Sequence, residues 1–122
     1  MVNTYRKGLR VERKVIEYLA REGYIVARVE KLNKFSKTKD LFGLFDIIAI
    51  NEKDIRLIQV TTQRPHLHEP YIEFAKKYPN LTIEQYIYKG RNIFIVYTYP
   101  NLMKRTIYIM SNIQSPLFAQ QG

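Results

Sequence analysis

The chain has 122 residues, which suits one domain of ordinary size. It lacks cysteine, which excludes disulfides and thiolate-bound zinc, and no apolar run approaches the roughly 20 residues of a membrane-spanning helix. Lys plus Arg number 20 against 11 Asp plus Glu, a net charge of +9, so the expected partner is a polyanion, nucleic acid ahead of an anionic surface. The N-terminus shows no long apolar core of the signal-peptide kind, and an intracellular location is the expectation.

Residues 3–22 read as a helix stopped by Gly23. On a helical wheel Tyr5, Leu9, Ile16, Leu19 and Ala20 form one apolar arc, and Glu12 falls inside it. Arg6, Arg10, Arg13, Lys14, Glu17 and Arg21 take the opposite arc. A carboxylate among apolar neighbours costs roughly several kcal/mol unless something compensates it. Two compensations are open for Glu12: a bound cation, or a place at the edge of the core beside an arginine.

Residues 24–30 alternate as a strand. Residues 31–40 form a basic loop with Lys31, Lys34, Lys37 and Lys39. Phe35 in that loop suits either core packing or a wedge between bases. Asp40 is either a further carboxylate for a cation or a loop charge paired with a lysine.

Residues 44–50 and 55–61 read as two strands joined by the turn Asn51-Glu52-Lys53-Asp54. Pairing Ile50 with Ile55 sets Ile48 against Leu57 and Asp46 against Gln59. Cross-strand partners have Cβ atoms about 5 Å apart, which suits two ligands of one cation with metal–oxygen bonds of about 2.1 Å. Asp46 is the hard anionic ligand, Gln59 offers its amide oxygen, and the Val60 carbonyl is a further candidate. The structural alternative is that Asp46 caps a turn and Gln59 ends the sheet.

His66 and His68 lack a third ligand and make a poor zinc site, so they read as surface residues near a nucleic acid. Residues 69–78 read as a short helix with Pro70 in its first turn. Residues 82–88, 93–99 and 106–110 read as strands, with a turn at Gly90; a helix over 81–88 stays open. Residues 1–110 form a single domain of the mixed α/β class, and residues 111–122 a loosely held tail.

Three runs taken together resemble a known family: Gly8-Leu9-Arg10-Val11-Glu12-Arg13, Lys39 to Ile50 around Phe45-Asp46, and Leu57-Ile58-Gln59-Val60-Thr61-Thr62. In order and spacing they are similar to the PD-(D/E)XK nuclease superfamily, and within it to archaeal Holliday junction resolvase-like and phage-type small endonucleases. The resemblance covers about residues 5 to 78. It implies a restriction-endonuclease-like fold, a central mixed sheet flanked by helices. It maps the first-helix glutamate onto Glu12, the hairpin aspartate onto Asp46, the second acid onto Gln59 and the lysine onto Thr61. The proline that usually precedes the aspartate is Phe45. Gln59 removes one negative charge from the site, and Thr61 removes a cation near the attacking water.

The resemblance implies a metal-dependent endodeoxyribonuclease that hydrolyses phosphodiester bonds, with branched DNA as the expected substrate. Glu12, Asp46, Gln59 and the Val60 carbonyl would hold Mg²⁺ or Mn²⁺, which polarises the phosphate and acidifies water. Thr61 orients that water but brings no charge. The phosphate contacts expected are Arg6, Arg10, Arg13, Lys34, Lys37, Lys39 and Arg64. A homodimer is expected because a two-fold substrate suits two-fold protein symmetry. The alternative is a DNA-binding protein that kept the nuclease fold but is catalytically impaired, as the Gln59 and Thr61 replacements suggest.

Overall fold

The computed structural model describes residues 4–29 and 42–110, with side chains from residue 8 onward. These residues form helix α1 (Thr4–Arg21), strands β1 (Ile25–Arg28), β2 (Ile47–Ile50) and β3 (Ile55–Thr62), helix α2 (Glu69–Lys77), and strands β4 (Thr82–Gly90), β5 (Ile93–Tyr99) and β6 (Met103–Tyr108). The strands join one sheet in chain order, β1-β2-β3-β4-β5-β6. Every neighbouring pair is antiparallel except β3 and β4, which run parallel. That parallel pair needs a crossover, and α2 provides it. The mixed α/β sheet expected from the sequence is therefore the architecture found.

The two helices cover opposite faces of the sheet. Val11, Val15 and Leu19 of α1 bury against Ile47, Ala49, Ile58, Val60, Tyr86 and Val96. Tyr71 and Ala75 of α2 bury against Phe45, Leu57, Ile83 and Tyr99. Strand alternation explains the division: on β3, Ile58 and Val60 face α1, whereas Leu57 faces α2. Gln59 and Thr61 fall on the α2 side by the same alternation.

Several bounds differ from the sequence reading. The buried stripe of α1 is centred on Val11, Val15 and Leu19, while Ala20 is exposed. Glu12 thus lies at the edge of the buried arc and not at its middle. β6 spans Met103–Tyr108 in place of 106–110. Most of its side chains are exposed, so it carries no apolar alternation to read. The helical option for 81–88 is excluded, because β4 pairs with β3 on one side and β5 on the other. Buried on both faces, β4 shows a run of buried positions without alternation.

β2 is also shorter than expected, Ile47–Ile50 instead of 44–50, and Asp46 lies just before it. The expected hairpin register holds at Ile50 with Ile55 and Ile48 with Leu57. It stops at Ile47 with Ile58, so Asp46 and Gln59 are not ladder partners. Instead the Asp46 N–H donates to Ile58 O at 2.8 Å. Phe45 packs on the α2 side and Ile47 on the α1 side, although residues two apart on a regular strand share a face. The chain switches faces at Asp46.

Candidate metal and nucleic-acid site

The kink at Asp46 opens the β2–β3 ladder, and a cluster of polar groups fills the opening. Within a strand the N–H and C=O of one residue point toward the same neighbour. Ile58 uses its carbonyl on Asp46, so Val60, two residues on, presents its own N–H and C=O on that side where β2 has ended. The Val60 N–H donates to Asp46 Oδ2 at 3.0 Å. The Val60 carbonyl accepts from Gln59 Nε2 at 3.2 Å. Asp46 and Gln59 therefore meet at the two backbone groups of one residue, Val60. Backbone groups that the ladder leaves over are claimed by side chains.

Gln59 is 6 % exposed, and its Oε1 is buried with no hydrogen-bond partner among the described residues. Leaving such an acceptor unsatisfied costs about 1–3 kcal/mol. In a native fold such a group calls for an explanation, and a bound water or ion is among the common ones. Glu12 is placed differently. Its Oε1 pairs with Arg28 Nε at 2.7 Å, and Arg28 Nη2 reaches the Leu9 carbonyl at 3.4 Å. Arg28 is the ladder partner of Ile47, so this ion pair sits beside the Asp46 kink on the α1 face. Of the two compensations open to Glu12, the structure displays the arginine. Among the described residues no three of His, Cys, Asp and Glu cluster as a metal centre.

Thr61 donates its hydroxyl proton to the Arg64 carbonyl at 3.2 Å, which braces the loop after β3. Arg64 is exposed on that loop, and Arg10 and Arg13 are exposed on α1. The Arg6 side chain, and Phe35, Asp40, Lys34, Lys37 and Lys39 of the basic loop, lie outside the described residues, as does the 111–122 segment.

The sequence reading missed the polar residues of β4. Gln85 lies beside Gln59 in the parallel ladder and is fully buried. Its Oε1 accepts the His66 N–H at 2.9 Å, and its Nε2 donates to the His66 carbonyl at 3.1 Å and to Tyr99 Oη at 2.8 Å. The side chain thereby acts as a short piece of strand that holds the 63–68 loop. Tyr99 Oη, which accepts from Gln85, also shares a hydrogen bond with His68 Nδ1 at 2.7 Å. The signal that could have exposed this residue is the one that flagged Gln59: a long polar side chain inside an apolar strand run.

Burial pushes Tyr99 up to about 12, against the opposing effect of the Gln85 hydrogen bond. The folded-state value is above the unfolded value near 10, so folded Tyr99 keeps its proton where the unfolded chain loses it. Stability is then fully present below pH 10 and is lost as pH rises through about 10 to 12. Urea denaturation at several alkaline pH values should show this decline, and Tyr99→Phe should flatten it. An unchanged slope in the variant assigns the titration elsewhere.

No protein-family model matches the chain, and no curated protein matches it. Solved structures do. Hjc of Archaeoglobus fulgidus, a Holliday junction resolvase from an archaeal hyperthermophile, superposes with a TM-score of 0.54 at 19 % identity, covering 83 % of this chain and 88 % of that one. The fold is restriction-endonuclease-like. At that identity the similarity establishes the architecture, and the chemistry has to be argued from the residues.

The donors at the kink suit a hard divalent cation. Asp46 carboxylate, Gln59 Oε1 and the Val60 carbonyl are all oxygens, the preferred ligands of Mg²⁺ and Mn²⁺. The buried, unsatisfied Gln59 Oε1 is the observation that favours a missing partner here. Glu12 stands apart from this set, its Oε1 held by Arg28 on the α1 face, whereas Gln59 lies on the α2 side.

Proposed function

We propose that this protein is a metal-dependent DNA endonuclease of the PD-(D/E)XK type that hydrolyses phosphodiester bonds of branched DNA. The carrying observation is the opened β2–β3 ladder, where Asp46, Gln59 and the Val60 carbonyl converge inside a restriction-endonuclease-like fold. Asp46, Gln59 and Val60 would hold Mg²⁺ or Mn²⁺; Glu12, which the family resemblance adds to the set, would have to reach the ion from the α1 face where Arg28 holds it. Such a cation supplies Lewis acidity to a phosphodiester and makes water a better nucleophile.

The chain's own groups orient and position. The Val60 N–H fixes Asp46 Oδ2 toward the opening. The Thr61 hydroxyl donates to the Arg64 carbonyl, which leaves its lone pairs to accept a hydrogen bond from water. It brings no charge to the phosphate. Arg10, Arg13 and Arg64 bind the sugar–phosphate backbone, with Lys34, Lys37 and Lys39 as further proposed contacts. Action as a homodimer inside the cell is part of the same reading, from the two-fold symmetry of a four-way junction.

The experiment is incubation of the purified protein with a four-way junction and with linear duplex, with and without Mn²⁺ or Mg²⁺. Cation-dependent incision near the branch point supports the reading, and its absence with both cations removes it. A second reading has its own observation. Glu12 is engaged by Arg28 and Thr61 replaces a cation, which favours a nuclease-fold protein that binds DNA and no longer cuts. Junction binding without incision would select it.

Gln59→Glu tests the cation site without reference to cutting. A second buried carboxylate beside Asp46 raises electrostatic repulsion, so the cation-free variant should melt below the wild type. Mn²⁺ should then raise the melting temperature of the variant more than that of the wild type, since binding to the folded state alone stabilises it. Equal shifts in both proteins would place the ion elsewhere.

A further inference from the structure

The strand directions gather three segments at one end of the molecule. β1 begins at Ile25, opposite Ile50 at the hairpin turn, and ends at Arg28, beside the Asp46 kink. The N-terminal part of α1 therefore lies toward the kink, with Arg10, Arg13 and Lys14 in the two turns around the middle of the helix. β3 and β4 run parallel, so the Gln63–His68 loop and the β4–β5 turn both leave the sheet two to four residues beyond Val60 and its partner Tyr86. Side-chain contacts join the three segments. Lys14 Nζ donates to Asn92 Oδ1 at 3.2 Å, and Lys89 Nζ donates to the Gln63 carbonyl at 2.7 Å. The band so formed exposes Arg10, Arg13, Arg64, Lys89 and Arg91. Residues 59–66 and 86–94 contain no acid, and on this part of α1 Glu12 is paired with Arg28 while Glu17 lies one turn toward the far end.

The tip of the β4–β5 turn is costly in a way that the fold alone does not require. Gly90 pairs with Ile93, so Arg91 and Asn92 are the two central residues, with φ of 55° and 65°. Two positive φ values define the hairpin turn that favours Asn or Gly at these places. Asn92 meets the preference and is locked further, its carbonyl accepting the Ile109 N–H at 2.9 Å. Arg91 does not meet it. A long cationic side chain held in a left-handed conformation at an exposed tip points to use of the side chain itself.

We infer that the β4–β5 turn is a phosphate-contacting element of the nucleic-acid interface, with Arg91 and Lys89 gripping the sugar–phosphate backbone beside the Asp46 kink. This rests on the nucleic-acid reading above. It extends the interface onto an element that the sequence pattern did not single out.

The test is junction and duplex binding by full-length protein at several KCl concentrations, comparing wild type, Arg91→Asn, Lys89→Ala/Arg91→Asn and Arg10→Ala/Arg13→Ala. Arg91→Asn suits the turn better than arginine, so its melting temperature should hold or rise, which separates binding from folding. Each lost phosphate contact should lower the magnitude of the log Kd against log salt slope by about 0.9. Arg91→Lys should recover most of the slope without the gain in stability. An Arg91→Asn protein with wild-type affinity and slope, alongside a weakened Arg10→Ala/Arg13→Ala protein, overturns the inference and keeps the nucleic-acid reading. A wild type that binds no nucleic acid overturns both. Equal affinity for polyglutamate, equally reduced in Arg91→Asn, would make the turn a general polyanion contact and also overturn it.

Discussion

Asp46→Asn should abolish cation-dependent incision while leaving junction affinity close to wild type. The substitution is nearly isosteric. Its amide oxygen can still accept the Val60 N–H that Asp46 Oδ2 accepts at 3.0 Å, so the kink that opens the ladder should persist. The formal charge is lost. With Gln59 uncharged and Glu12 engaged by Arg28, Asp46 is the main anionic donor at the opening among the described residues. Loss of one electrostatic group at a developing charge typically costs about 10²–10³ in rate. The effect here should lie at or above that range, because cation affinity falls together with chemistry. Single-turnover incision of a labelled four-way junction measures the rate, and a gel-shift titration without cation measures the affinity. Incision that survives the substitution would refute the site. Binding that collapses with it would mean that Asp46 supports the fold and not the reaction.

The parts of this arrangement legible in the sequence were those fixed by local chemistry. The Asn51-Glu52-Lys53-Asp54 turn sets the hairpin register, and the expected pairs Ile50–Ile55 and Ile48–Leu57 are found. Gly23 ends α1 with a φ of 98°, as a glycine stop should. The kink at Asp46 was not legible. Alternation assumes a regular pleat, and the face switch between Phe45 and Ile47 depends on two separate cores competing for neighbouring side chains. The rotation of α1 was missed for a related reason. Val11 and Val15 extend the apolar arc beyond Leu19 on the side away from Leu9 and Ala20, so the arc is wider than the buried stripe, and only the sheet beneath decides which part of it is buried. The Gln85 contacts needed a tertiary partner, the His66 backbone, which no periodicity signals.

The largest expected effect on stability lies at Glu84, the β4 partner of Ile58. This carboxylate is 2 % exposed on the α1 face. Its Oε1 pairs with Arg56 Nη1 at 3.1 Å, and its Oε2 accepts from Thr98 Oγ1 at 2.8 Å, with Arg105 Nη1 at 3.4 Å. Arg56 is tied in turn to Asp54 at 2.7 Å and lies over the Tyr24 ring at 5.1 Å. Burial alone would lower the Arg56 pKa, but the Glu84 charge and the Asp54 hydrogen bond outweigh it and hold the guanidinium above its ordinary value. Burial, then Glu84, raises the pKa of the neighbouring Tyr86 phenol.

Glu84→Ala strips the half-buried Arg56 of its main counter-charge and opens a void beside Tyr86. Breaking one side of such a pair typically costs about 3–5 kcal/mol, a large share of a small domain's total stability. Urea denaturation should show a lower midpoint at an unchanged slope. Replacing Glu84 by leucine and Arg56 by methionine together should restore most of the loss, because the removed charges then leave no orphan. A double variant as unstable as Glu84→Ala would show that packing, and not the stranded cation, sets the cost. Glu84 pairs with Ile58 in the β3–β4 ladder, only two residues or about 7 Å along the strand from Val60 and Tyr86, and Ile58 O accepts the Asp46 N–H. Junction binding by the double variant therefore reads the coupling: wild-type affinity would show that the Asp46 opening stands without the buried ion pair, and weakened binding at restored stability would show that the two share their support.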